Sequence, residues 1–216
     1  MPAPIVKICC IASIAEAELA ISAGARVLGL VSSMPSGPGA IDEALIAAIA
    51  KTTPNHIKTF LLTAHTDAAS IAAQQARCGT TSLQLVDHVP HKELAQLRQS
   101  LPAVELIQVI HVSDINALDQ AIAVAPLVDA ILLDSGNPSL AVKELGGTGR
   151  THDWRISRQI REAVSRPLYL AGGLNPNNVQ NAVAAVAPYG LDVCSGLRRN
   201  GALDAAKVAE FFRKLI

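Results

Sequence analysis

Aromatic side chains make up only 3% of this 216-residue chain. So few rings argue against a stacking platform for single-stranded nucleic acid. A surplus of one charge is also missing: 18 Lys and Arg stand against 18 Asp and Glu, for a formal net charge of +0. Affinity for a phosphate backbone comes from Lys and Arg, so nucleic acid is not an expected partner, although a local anion pocket remains open. No apolar run reaches the length of a membrane-spanning helix. The opening MPAPIVKICCIAS reads as a first strand and not as a signal peptide. The chain has only 4 cysteines, Cys9, Cys10, Cys78 and Cys194, too few for a disulfide scaffold, and points to a reducing cytoplasm. No C-x-x-C or His-x-x-x-His spacing accompanies them and the histidines are scattered, so no metal site is expected. A nucleotide-binding glycine fingerprint is absent as well, and no cofactor is implied.

What is present is apolar mass, 50% of residues against 17% charged, enough for a substantial core. It is laid out in a regular alternation of short β-rich runs and Ala-rich segments at helical spacing. Strands are predicted at 5–10, 26–31, 57–62, 82–86, 104–111, 130–134, 167–171 and 191–194. Helices are predicted from Ser13 to Gly24 and at 42–51, 67–78, 91–100, 114–124, 153–164, 178–186 and 203–215. Ser13 followed by Glu16 has the pattern of a capping box. Runs such as VLGLV, AILLD and LYLAG are continuously apolar, as strands covered on both faces are. Eight strand–helix units in 216 residues fit an α/β fold of the closed (β/α)8 (TIM barrel) type, with an open doubly wound sheet as the rival. No linker or shift in composition divides the chain, so residues 1–216 are expected to form one barrel domain.

In such a barrel the chemistry lies at the carboxyl ends of the strands. Strand seven ends in Gly172-Gly173, strand eight in Ser195-Gly196, and the loop after strand six carries Gly146-Gly147-Thr148-Gly149. Glycine lets backbone N–H groups approach an anion, and barrels often hold phosphate after strands seven and eight. A phosphorylated ligand is therefore expected there, with tight turns as the plain alternative. Asp134 ends the apolar run AILLD, where burial would raise its pKa and suit it to acid work, though a capping role is equally open. Cys9 or Cys10 ends strand one. Side chains alternate along a strand, so only one of the two is expected to face inward. Cys78 and Cys194 read as structural. His111 and His152 sit where they either touch a ligand or cap and pack, and Trp154 reads as a packing anchor.

Lys7-Ile8-Cys9, Asp134, GGTGRTHDW (146–154), AGGLNPNNV (171–179) and DVCSG (192–196) together resemble phosphoribosylanthranilate isomerase of tryptophan biosynthesis, in order and spacing across essentially the whole chain. The resemblance implies a cofactor-free Amadori rearrangement of N-(5-phosphoribosyl)anthranilate to the 1-amino-1-deoxyribulose phosphate. Its partner would be a small phosphorylated sugar-amine, and the protein a monomer or homodimer. By the same resemblance Asp134 would be the general acid and Cys9, as thiolate, the general base. Lys7, two residues before Cys9 and on its face of the strand, would supply positive charge. Gln84 would belong to the substrate-binding wall. Gly147, Thr148, Gly149, Gly172, Gly173, Ser195 and Gly196 would hold the phosphate.

The chain departs from that family at the amine end. Cys10 stands where the family has glycine, and Gly39 where it has an arginine thought to bind the anthranilate carboxylate. Asp87 ends the strand-four motif, where it is expected to repel a carboxylate. His152 replaces a phenylalanine, and Arg198 an acidic residue. Arg198 is expected to restore the missing charge from strand eight. Two other readings stay open: isomerisation of a different phosphorylated amino-sugar, and sugar-phosphate binding without turnover.

Overall fold

The computed structural model describes residues 3–215. Eight parallel strands close into a barrel in chain order, each followed by a helix. The strands are β1 (Ile5–Ile8), β2 (Val27–Val31), β3 (Lys58–Thr63), β4 (Ser82–Leu85), β5 (Glu105–His111), β6 (Ala130–Asp134), β7 (Leu168–Leu170) and β8 (Gly190–Val193). Pairing of Lys7 with Asp192 and Val27 with Lys7 closes the ring, so β8, β1 and β2 lie side by side. The (β/α)8 expectation holds, and the open sheet is excluded by the β1–β8 ladder. The described residues do not include 1, 2 and 216 of the expected domain.

The helices are α1 (Ile14–Ser22), α2 (Glu43–Thr52), α3 (Ala68–Cys78), α4 (His91–Ser100), α5 (Asn116–Val124), α6 (Trp154–Ala163), α7 (Val179–Val186) and α8 (Ala205–Leu215). Side-chain oxygens start several of them. Ser13 accepts from the Glu16 N–H at 3.1 Å, Asp42 from Leu45 at 2.7 Å and Asp67 from Ser70 at 2.8 Å. The capping box is only half formed: the Glu16 carboxylate accepts from the Ala12 N–H and is otherwise committed elsewhere. No helix among the described residues is long and apolar enough to cross a membrane.

Alternation along the strands makes two cores. Leu28 and Leu30, Ile131 and Leu133, and Leu191 and Val193 point outward into the helix layer. Val27 and Val31, Phe60 and Leu62, Ala130 and Leu132, and Tyr169 and Ala171 point inward and fill the barrel. Phe60 and Tyr169 meet edge to face at 5.7 Å in this inner core. The same parity turns Lys7, Gln84, Asp134 and Asp192 inward. Trp154 packs against the outer core, as expected for an anchor.

Three boundaries differ from the sequence reading in ways that matter. β1 stops at Ile8 because Cys10 adopts a left-handed backbone, φ 61°, that cannot continue a strand. β8 stops at Val193, leaving Cys194 in the turn that leads to Ser195. Ahead of α8 lies a small hairpin, β9 (Arg198–Arg199) with β10 (Ala202–Leu203), turning at Asn200-Gly201.

Candidate active site

A cavity opens at the carboxyl ends of the strands. Its floor and one side come from Cys9 after β1, Gln84 on β4, Asp134 on β6 and Asp192 on β8. Cys9 therefore faces inward, as the resemblance requires. Its neighbour Cys10 lines the cavity too, contrary to the expectation that only one thiol faces in. Strict alternation no longer applies once the strand has ended and the backbone has turned left-handed.

Lys7 is fully buried beneath Cys9, and its Nζ lies 2.8 Å from Asp192 Oδ2 and 5.9 Å from the centre of the Phe60 ring. It does not line the cavity; it lies beneath Cys9, which does. A methyl group placed on Gly29 of β2 would lie 2.8 Å from both Cys9 Sγ and Lys7 Nζ, so the two groups share one pocket made by that missing side chain. Burial pulls the Lys7 ammonium toward deprotonation, but the Asp192 carboxylate and the Cys9 sulfur outweigh it and hold its pKa above the ordinary lysine value. A permanent cation thus stands beside the Cys9 sulfur.

Asp134 sits across the barrel from this pair. Burial lifts its carboxyl above the ordinary range, against the Ser135 N–H that donates to Oδ1 at 2.7 Å. The nearby Asp192 carboxylate adds to the rise. Gln84 Oε1 and Asp192 Oδ1 are buried and have no protein hydrogen-bond partner among the described residues. Both residues line the cavity.

The other side is a glycine-rich cradle. Gly147, Thr148, Gly149, Gly172, Gly173 and Ser195 all line the cavity. Among the described residues, Gly149, Gly172 and Gly173 donate no backbone hydrogen bond to protein, which leaves their N–H groups for a ligand. The cradle is braced from behind: Asn175 and Asn178 side chains both donate to the Gly173 carbonyl, at 3.1 and 2.9 Å. The Ser135 and Thr148 hydroxyls meet at 2.7 Å. Gly196 lies behind the wall, where any Cβ would collide with the Leu174 carbonyl oxygen and Asn175. Its place is set by packing.

The remaining wall is apolar, from Val31, Met34, Leu62, Val86 and Leu145, with Ser36, Gly37 and Pro38 of the β2 loop. None of the lining side chains is a lysine or an arginine. Arg198 does not turn toward the cavity as expected. Its guanidinium is held at the back by Glu16, 3.0 and 3.1 Å, by the Gly201 carbonyl at 2.8 Å and by the Cys10 carbonyl. Four acceptors close together outcompete an open position, so Arg198 ties α1 to the β9–β10 hairpin. Asp87, expected to repel, is neutralised by Lys143 of the β6–α6 loop at 2.5 Å. His111 Nε2 lies 2.9 Å from the Val86 carbonyl oxygen and does not line the cavity. His152 meets Ser157 at 2.7 Å, and burial lowers its pKa to about 4.

Cys194, read from sequence as structural, is a cavity residue whose sulfur lies 2.7 Å from Cys10 Sγ. Asp192 was passed over as a site residue although it sits in the DVCSG stretch; its inward parity two residues before Cys194 was the available signal. The departures at positions 10 and 39 prove to be one unit. A Cβ on Gly39, itself at φ 82°, would strike Cys10 Cβ and lie 2.9 Å from its sulfur. Cys10 fills the space a side chain at 39 would need.

The chain matches the family model for N-(5'-phosphoribosyl)anthranilate (PRA) isomerase over residues 6–214. It belongs to the phosphoribosylanthranilate isomerase family. It is 36% identical over 211 residues to N-(5'-phosphoribosyl)anthranilate isomerase 2 of Methanosarcina mazei, covering 97% of this chain and 92% of that one. The crystal structure of phosphoribosyl anthranilate isomerase from Thermotoga maritima superposes with a TM-score of 0.84 at 25% identity, covering 98% of both chains. A further phosphoribosyl anthranilate isomerase crystal structure, 23% identical with a TM-score of 0.81 and 98% of both chains covered, holds reduced 1-(o-carboxyphenylamino)-1-deoxyribulose 5-phosphate. Phosphoribosylanthranilate isomerases catalyse an aldose–ketose rearrangement, and that is the activity of this chain.

Proposed function

We propose that Cys9 and Asp134 carry the two proton transfers of an Amadori rearrangement of N-(5'-phosphoribosyl)anthranilate. The observation that carries this is the sharing of one cavity by an inward thiol beside a buried ammonium, a buried carboxyl, and a cradle of free amides. Asp134, whose burial favours the protonated form, gives its proton to the ribose ring oxygen. The ring opens to a Schiff base. Cys9, as thiolate beside the Lys7 cation, removes the proton on C2, and the enolamine tautomerises to the ketone. Lys7 is a positioning and charge-supplying residue, since it does not reach the cavity. Asp192 Oδ1 and Gln84 Oε1 accept from sugar hydroxyls, which supplies the donors they lack in the protein. Gly147, Thr148, Gly149, Gly172, Gly173 and Ser195 hold the phosphate, and the Met34, Leu62, Val86 and Leu145 wall takes the aryl ring.

The test is single-substitution kinetics followed by loss of substrate fluorescence. Cys9→Ala and Asp134→Asn should each lower kcat by about 10²–10⁴-fold. Full turnover in either variant would overturn the assignment. A second reading rests on the absence of any lining lysine or arginine: the physiological amine carries no carboxylate. A missing charge-assisted contact is worth about 1.5–3 kcal/mol. A decarboxylated phosphoribosyl arylamine with a higher kcat/KM than the anthranilate would favour that reading.

A further inference from the structure

The cavity mouth holds a second piece of sulfur chemistry that the rearrangement does not use. Cys10 and Cys194 are 184 residues apart in sequence, yet their sulfurs lie 2.7 Å apart between the end of β1 and the end of β8. Both are free thiols lining the cavity, Cys194 half-buried and Cys10 buried, so a small oxidant entering the cavity reaches Cys194. The arrangement is costly to hold. Cys10 is a non-glycine at φ 61°, and Gly39 has surrendered its side chain to make room for it. Backbone strain of this kind persists where surrounding structure enforces it and tends to mark a functional position.

We propose that Cys10 and Cys194 form a reversible oxidation site that switches the active site off when a peroxide enters the mouth. The balance is simple. The Cys194 thiolate attacks one peroxide oxygen; the O–O bond breaks, an S–O bond forms, and the hydroxide that leaves takes up the proton Cys194 released, departing as water and leaving a sulfenic acid. Cys10 sulfur then attacks that sulfur; the S–S bond forms, the S–O bond breaks, and a second water departs with the Cys10 proton. Two thiols are oxidised by two electrons and one peroxide is reduced to two waters.

The order of events follows from the surroundings. Sulfur beside sulfur makes the pair titrate together. Contact with Cys10 and the Arg198 guanidinium lower the pKa of Cys194, while the same contact and burial raise that of Cys10. Cys194 is also the more exposed of the two, Cys10 being buried, so Cys194 meets the oxidant first as the attacking sulfur and Cys10 is the resolving one. Cys9 is a poor alternative partner for Cys10. Adjacent Cα atoms stand about 3.8 Å apart, short of the 4.4–6.8 Å usual for a disulfide.

Closing the bond brings the sulfurs from 2.7 Å to about 2.05 Å. The residues pulled are the immediate neighbours of Cys9 and Ser195, both of which line the substrate cavity. Misplacements of this order are costly to turnover. In a reducing compartment the pair rests as thiols and the disulfide is transient.

The test treats the full chain with one equivalent of hydrogen peroxide. The expected result is a mass loss of about 2 Da, a peptide linking Cys10 to Cys194, and a fall of at least about tenfold in kcat/KM that dithiothreitol restores. Cys194→Ala, and independently Cys10→Gly, should show neither the mass loss of about 2 Da nor a linked peptide. A gain of about 16 or 32 Da without a link would overturn the proposal. So would a link through Cys9, or a Cys10–Cys194 linked protein that turns over as fast as the reduced one. The activity arm rests on the isomerase reading; the mass and peptide arm does not, so the two fail separately.

Discussion

Placing an arginine at position 39 asks whether Cys10 and Gly39 act as a unit. Gly39 has φ 82°, so any L side chain there pays for a left-handed backbone, about 1–2 kcal/mol. The new Cβ also strikes Cys10, and forcing a side chain into filled space costs about 1–3 kcal/mol. Gly39→Arg should therefore lose about 3 kcal/mol, a fall in Tm of about 6–12 °C for a chain of this size. In a Cys10→Gly background the obstructing atoms are gone and only the backbone part remains. The coupling between the two sites should then be about 1–3 kcal/mol, within the range seen for residues in contact. Urea unfolding of the two single variants and the double variant measures it, with the slope m as a check that the unfolded state is unchanged. The double variant should also bind phosphoribosylanthranilate with a lower KM, because a cation reaches a cavity wall that has none. Strict additivity to within about 0.3 kcal/mol, or a Gly39→Arg protein as stable as the parent, would refute the reasoning.

Three further outcomes follow from the site. Lys7→Met leaves Asp192 buried and unpaired and should cost about 3–5 kcal/mol in urea unfolding, most of it recovered in Lys7→Met with Asp192→Leu. Arg198→Ala should lose about 2–3 kcal/mol of stability with KM changed less than about twofold; a KM rise without a stability loss would return Arg198 to the substrate. For Asp134 the folded pKa lies above the unfolded one, so the unfolded chain gives up this proton first as pH rises. Stability from this group is then present below the unfolded pKa and lost as pH climbs to the folded value. The stability difference between Asp134→Asn and the parent should grow in favour of the variant across that window and level off above it.

The barrel was legible because several strands are apolar runs and several helices, α1, α2, α3 and α6 among them, start at an oxygen-bearing side chain. VLGLV and AILLD left little choice. The inward faces of Lys7, Gln84 and Asp134 agree with parity; parity did not choose between Cys9 and Cys10, and both line the cavity. The end of β1 was not readable, since nothing marks Cys10 as left-handed; a glycine there would have. The partners of Arg198 could not be read either, because Glu16 lies 182 residues away and only the closed ring brings them together. The same holds for Lys143 on Asp87 and for the Cys10–Cys194 contact. The β9–β10 hairpin was a different case. Asn200-Gly201 is a strong two-residue turn signal, and it was obscured by the helix that follows.

Position 29 carries no functional group and sits in the middle of a strand, yet an added side chain there has no room. The smallest possible enlargement there would intrude on the Cys9 sulfur and on the Lys7 ammonium in a single stroke. A saturation screen would consequently score this residue among the most sensitive in the protein and invite its mistaken assignment to the chemistry. Its contribution is an empty volume, kept open so that two reactive neighbours can occupy it.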